Sequence, residues 1–290
     1  MLPFFEQPVW SLGPLTIHAF GVSVAVAAWY GLIVGQRRFG RLALDAGLGQ
    51  QLASWMLLGG MIGAHLFSVL FYFPSKLRED PWLLLRLWED ISSFGGMVGG
   101  LAGALLFFAT RMRESTWTHR LAYLDVVAFV FPGSLAIGRI GCALAHDHPG
   151  SISAFPLAIS LESRDAQAFY ASSGKSLPAD AALLGFHDLG LYELLYLSLV
   201  ILPLFWYFDR RSRPAGFYLA AFGALYLPVR FGFDMLRVAD ARYAGLTPAQ
   251  WLAALMLFAL PLVTLGRRTL AYAIGGTVLL TTLWACWSGS

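Results

Sequence analysis

The chain has 290 residues, 58% of them hydrophobic and only 13% charged, with a formal net charge of +3. Soluble domains carry about 25% charged residues, so this composition excludes a soluble enzyme. The arginines sit in short loops between apolar runs, which excludes a basic nucleic-acid-binding surface. Two cysteines far apart, Cys142 and Cys286, give no disulfide framework.

Apolar runs of roughly 20 residues are long enough to span a bilayer, and open strands cannot satisfy their backbones in lipid. The expected fold is an all-α polytopic membrane protein with seven to eight transmembrane helices. The spans fall near residues 15–35, 52–73, 94–110, 121–145, 190–208, 215–236 and 251–265, with an eighth at 269–287. All 290 residues read as a single membrane domain. Met1 to Gly13 lacks the basic start of a cleaved leader. Arginines cluster after the first span (Arg37, Arg38, Arg41), the third (Arg111, Arg113, Arg120), the fifth (Arg210, Arg211, Arg213) and the seventh (Arg267, Arg268). The positive-inside rule then puts the N-terminus outside, and with eight spans the C-terminus too.

Two outer loops are more than connectors. Residues 75–90 begin a helix at Pro81 and carry Trp82, Leu85 and Trp88 in an apolar stripe, the pattern of a short amphipathic helix lying in the interface. Residues 146–189 form the longest outer loop, with strand-like alternation at 157–162 and a turn at 172–175, and are expected to form a small periplasmic cap.

This orientation gathers the costly polar residues in the outer leaflet. His18 lies near the outer end of the first span and His65 in the outer half of the second. The fourth span carries Arg139 and ends at His146, Asp147 and His148. Tyr192 and Glu193 enter the fifth, and the sixth carries Arg230, Asp234 and Arg237; only Asp125 lies toward the other side. Ionisable groups in a bilayer mark functional sites. Confinement to one leaflet suits chemistry on a lipid headgroup better than transport across the membrane. Arg139 and Arg230 suit an anionic phosphate, which guanidinium forks bind bidentately, with Glu193 and Asp234 balancing them when no lipid is bound.

Gly95, Gly96, Gly99, Gly100 and Gly103 follow small-xxx-small spacing, which serves close helix packing or leaves room for an acyl chain. His18 and His65 read as hydrogen-bonded residues on apolar helices. His146 and His148 flank an acid beside a buried arginine and are candidates for catalysis. Without further ligands at metal spacing they form no metal site.

These residues resemble the prolipoprotein diacylglyceryl transferase family of bacterial inner membranes. Gly138-Arg139-Ile140-Gly141, with Asp147 and Gly150 following, is similar to its Gly-Arg-Leu-Gly-Asn-Phe signature with a later acid and glycine. Tyr192-Glu193 is similar to its Leu-Tyr-Glu, Arg230, Asp234, Arg237 and Asp240 to its arginine-acid run, and Pro248-Ala249-Gln250 to a later Gln-containing segment. The resemblance implies transfer of a diacylglyceryl group from phosphatidylglycerol to the lipobox cysteine of a prolipoprotein signal peptide. It implies no cofactor, an inner-membrane location and a monomer. The arginines would grip the phosphate, with Tyr192, Glu193, Asp234, Arg237, Gly95, Gly96, His18 and Cys142 lining the substrate site. The chain departs from the pattern where Phe94 replaces the histidine before Gly-Gly, Cys142 the signature asparagine and Phe20 a tyrosine. His146 or His148, oriented by Asp147, is then the expected general base. A divergent paralogue with another acceptor, and a non-catalytic lipid-binding protein, are the alternatives.

Overall fold

The computed structural model describes residues 1–13, 15–86, 92–174, 176–237 and 242–264. The expected eighth span at 269–287 and Asp240 lie outside the described residues. A short hairpin opens the chain: β1 (Val9–Leu12) pairs antiparallel with β2 (Leu15–His18). His18 is the N-cap of α1 (Ala19–Arg41), so the first long helix begins at Ala19, four residues later than the hydropathy alone indicates.

Asp45 caps α2 (Ala46–Phe67) by accepting from the amides of Gly47 and Leu48. A π-helical turn at Ser68–Tyr72 extends that run to 27 residues. Then come α3 (Pro74–Glu79), α4 (Ser93–Thr110) and the 29-residue α5 (Trp117–Ala145). A head follows, built from β3 (Pro149–Ser153), β4 (Ile159–Ser160), α6 (Arg164–Ser172) and β5 (Gly185–Asp188), with antiparallel strand order β3-β5-β4. α7 (Leu189–Tyr196) runs through a π turn into α8 (Leu202–Phe208), and α9 (Phe217–Met235) and α10 (Pro248–Thr264) complete the bundle.

Four helical runs among the described residues are long and apolar enough to cross a membrane: Ala19–Arg41, Ala46–Tyr72, Trp117–Ala145 and Leu189–Phe208. α4 and α10 are shorter and apolar. Large apolar side chains such as Trp29, Leu57, Leu199 and Leu255 face outward, an inversion that only a hydrocarbon solvent tolerates on this scale. The protein is an all-α polytopic membrane protein. α5 is its axis, packed by α1, α7 and α9. Tyr123, Val126 and Val130 bury against Phe39 and Phe107 toward one end, and Ala128 and Ala136 join Phe205, Tyr218 and Tyr226 along the other face.

Two expectations for the loops gain detail. Among the described residues the interfacial arm is two short pieces, because Asp80 breaks the helix and caps a 3-10 turn, Pro81–Leu85, through the Trp82 amide; Trp88 lies outside the described residues. Trp82 and Leu85 still face outward, while Leu83 is buried and its carbonyl lies 2.8 Å from His65 Nε2. The head has more structure than one strand and a turn, since α6, β3 and β5 frame them. The N-terminus also joins it: the Leu2 amide donates to Ala158 O and its carbonyl accepts from Ser160, both at 2.8 Å.

The glycines on α4 serve packing. A Cβ on Gly95 would lie 2.4 Å from Gly63 O, and one on Gly99 2.1 Å from Gly59 O, so the backbones of α2 and α4 touch. Gly99→Leu is expected to lower the thermal midpoint in detergent by several degrees, the effect of about 1–3 kcal/mol of overpacking. Gly40→Ala, with nothing within 4 Å of the added carbon, is expected to leave it unchanged or raise it.

Candidate functional site

Three helices bring charge to one buried point. Arg139 and Cys142 lie one turn apart near the C-terminus of α5. Glu193 lies one turn into α7, whose start is fixed by Asp188 accepting from the Leu191 amide. Tyr226, Arg230 and Asp234 recur every four residues along one face of α9. Gly190 lets α7 approach: a Cβ there would sit 3.0 Å from that of Cys142.

Arg139 and Arg230 converge on one carboxylate. Arg139 Nε lies 2.5 Å from Glu193 Oε2, and Arg230 Nε lies 3.6 Å from Glu193 Oε1. The Tyr226 hydroxyl donates to Glu193 Oε1 in a short hydrogen bond. Arg230 Nη1 also donates to Asp234 Oδ1 at 3.0 Å, and Arg237 Nη1 lies 3.7 Å from the same oxygen. The Thr247 hydroxyl donates to Asp234 Oδ2, and Gln250 holds Thr247 by accepting its amide at 3.0 Å. Arg139, Arg230, Glu193 and Asp234 are each at most 6% exposed. Two cations thus balance two anions in a space closed to water, with Arg237 adding positive charge at its edge.

Arg139 carries the network onward, donating from Nη1 to Cys142 Sγ at 3.3 Å. The ligand-type atoms of Cys142, Asp147 and His148 lie within 4.8 Å of one another, and His148 Nδ1 makes a short hydrogen bond with Asp147 Oδ1. The guanidinium on Cys142 disfavours a cation there, and the group reads as an acid–base pair. Burial works against the Asp147 charge, but the hydrogen bond with His148, with Arg139 nearby, outweighs it and holds the carboxyl below its usual range. A mostly apolar cavity of about 570 Å³ opens beside this pair, with His18, Phe20, Ala145 and Asp147 on its walls.

The structure separates the two candidate histidines. His148 and Asp147 are partly exposed beside Cys142. His146 is sealed into the head in a left-handed conformation with φ of +49°. Its Nδ1 lies 2.6 Å from Asp188 Oδ2, and its ring packs against Phe4, Phe5, Phe169 and Phe186. Tyr192 is buried with its hydroxyl 2.9 Å from His187 Nδ1. Sequence reasoning passed over Tyr226, Asp188 and Thr247. Tyr226 had a signal, four residues before Arg230 on the same helical face; Asp188 and Thr247 offered only capping positions, because the partners that matter, His146 and Asp234, are 42 and 13 residues away.

Fold and site together define a multi-pass membrane protein with a buried cluster of two arginines and two carboxylates toward one end of its bundle. A family model described as prolipoprotein diacylglyceryl transferase matches residues 7–265. Among similar proteins are enzymes named phosphatidylglycerol–prolipoprotein diacylglyceryl transferase. That of Chromohalobacter salexigens is 29% identical over 271 residues, covering 91% of each chain. That of Ectopseudomonas mendocina is 28% identical over 282 residues, covering 94% of this chain and 96% of its own. The chain belongs to the prolipoprotein diacylglyceryl transferase family.

Glu193→Gln removes the anion between two buried guanidiniums. Breaking such a network by one partner costs about 3–5 kcal/mol, so the variant is expected to unfold at markedly lower temperature in detergent. Arg230→Gln added to it is expected to recover part of the loss. A Glu193→Gln protein as stable as wild type would contradict the ion-pair reading.

Proposed function

We propose that the protein transfers the diacylglyceryl group of phosphatidylglycerol to the cysteine thiol of a prolipoprotein signal peptide, in the outer leaflet of a bacterial inner membrane. The observation that supports this most is the convergence of Arg139 and Arg230 on one buried carboxylate. Glu193 marks where an anion sits, and a lipid phosphate there takes two guanidinium forks at once.

The acceptor thiol gives its proton to His148, whose imidazolium Asp147 orients and stabilises. The sulfur attacks the glycerol carbon that bears the phosphate. A C–S bond forms as the C–O bond breaks, the electron pair leaves on the phosphate oxygen, and glycerol phosphate departs with the proton that His148 returns. Arg139 and Arg230 stabilise the departing charge in a closed, weakly screening site. The apolar cavity beside Asp147 and His18 suits the acyl chains or the apolar stretch of the signal peptide. In this reading His146 holds the head together, and Gly95 and Gly96 hold α4 against α2. The N-terminus and head face outward: Arg38, Arg41 and Asp209 meet at the opposite end of the bundle, where the arginine-rich loops predict the cytoplasm.

Purified protein incubated with labelled phosphatidylglycerol and a lipobox peptide is expected to yield a peptide heavier by one diacylglyceryl group, together with glycerol phosphate. Arg139→Ala and Arg230→Ala are each expected to lose about 100-fold or more in rate, the scale of one lost charge-stabilising donor. His148→Ala is expected to lose about 100-fold and Asp147→Asn less, while His146→Ala lowers thermal stability first. Full activity in His148→Ala would remove His148 as the base. Bound lipid without turnover in the wild type would favour a lipid-binding protein.

A further inference from the structure

At the end of the bundle away from the head lies a second cavity, of about 580 Å³. It opens between the C-terminus of α1, the first turns of α5 and the loop from α8 to α9. Arg38, Arg41, Arg210, Arg211 and Arg213 line it against only two acids, Asp125 and Asp209. Both acids are already engaged. Asp125 caps α9 by accepting from the amides of Gly216 at 2.8 Å and Leu219 at 3.0 Å. Asp209 takes Arg38 Nη1 at 2.9 Å, Arg41 Nη2 at 2.7 Å and the Tyr218 hydroxyl at 3.2 Å. Five guanidiniums against two carboxylates leave the cavity strongly positive.

One of those cations is more than a surface charge. Arg38 is 6% exposed and is held against the rings of Phe129 and Tyr218, at 3.3 and 4.7 Å from their centroids. Its buried Nε has no hydrogen-bond partner among the described residues. A charge needed only for membrane orientation has no reason to be buried; exposed loop arginines suffice. The rim also suits a headgroup. Trp206 and Tyr207 are exposed on the outside of α8, and the Arg210 guanidinium lies 4.3 Å over the Trp206 ring, the aromatic-belt arrangement of a bilayer interface.

We propose that this cavity is a second anion site that binds a phosphate group, carried by an anionic phospholipid of the leaflet at that end or by a soluble phosphate ester. It is separate from the buried cluster of Arg139 and Arg230, at the other end of α5 and α9. An occupant there bridges Arg38 and Arg41 at the end of α1 to Arg210, Arg211 and Arg213 in the loop from α8 to α9, and so links lipid composition at that face to the stability of the bundle.

Hydrogen exchange of the full chain in nanodiscs tests this. The protein is compared in phosphatidylcholine alone, in phosphatidylcholine with phosphatidylglycerol, and in phosphatidylcholine with glycerol phosphate added to the buffer. Amides of residues 209–216 are expected to exchange about tenfold more slowly when the ligand is present at ten times its dissociation constant. Slowing by the mixed bilayer alone identifies a lipid headgroup, and slowing by the buffer additive identifies a soluble ester. The variant Arg210→Gln/Arg211→Gln/Arg213→Gln is expected to lose the slowing while keeping its transfer activity. If that variant does not fold, Arg211→Gln alone, an exposed position, is expected to weaken it. No slowing at 209–216 with either anion would overturn the proposal. So would equal slowing at 111–116, where Arg111 and Arg113 report diffuse attraction to a charged surface.

Discussion

The carboxylate of Glu193 holds two guanidiniums together in a space that neither would enter alone. A cation in a closed apolar site carries a desolvation cost of several kcal/mol, which only a well-placed anion and further hydrogen bonds offset. Arg139 comes from α5, Arg230 from α9 and Glu193 from α7, so this one anion fixes the relative depth and rotation of three helices. Tyr226 completes its hydrogen bonding from a fourth position, on the same face of α9.

The polar contacts form one chain. It runs from Gln250 and Thr247 at the start of α10, through Asp234 and Arg230 on α9, to Glu193 and then Arg139. Arg139 passes it to Cys142, beside Asp147 and His148 at the edge of the head. In the proposed reaction the phosphate grip and the proton acceptor therefore share one residue. Displacing Glu193 by a phosphate changes the field felt by the base, which suits a site that must activate a thiol only when lipid is bound. His146, one residue from the base pair, takes no part in this chain. Its left-handed backbone turns its ring into the aromatic box of the head, where Asp188 fixes it and also caps α7.

Much of this was legible in the sequence, and the reasons are physical. Long apolar runs locate helices well, and every expected span within the described residues has a helix. The approximate ends reflect what hydropathy cannot see, such as the hairpin at Val9–His18 that delays α1. Isolated arginines in apolar helices stand out because they are costly, so Arg139, Arg230, Glu193 and Asp234 were found together. The two histidines beside Asp147 looked equivalent because their difference lies in one φ angle and in Phe4 and Phe5, more than a hundred residues away in sequence. The glycines of α4 carried two readings until α2 was seen against them. The cavity at Arg38 was hidden as well, since in sequence its arginines are indistinguishable from ordinary orientation signals.

The most direct test of the account is an experimental structure of the protein in a phosphatidylglycerol-containing nanodisc. The account predicts density for a phosphate within hydrogen-bonding distance of both Arg139 and Arg230, with the Glu193 carboxylate displaced from between them. A phosphatidylglycerol headgroup bound elsewhere in the protein, with Glu193 still bridging the two arginines, would contradict it.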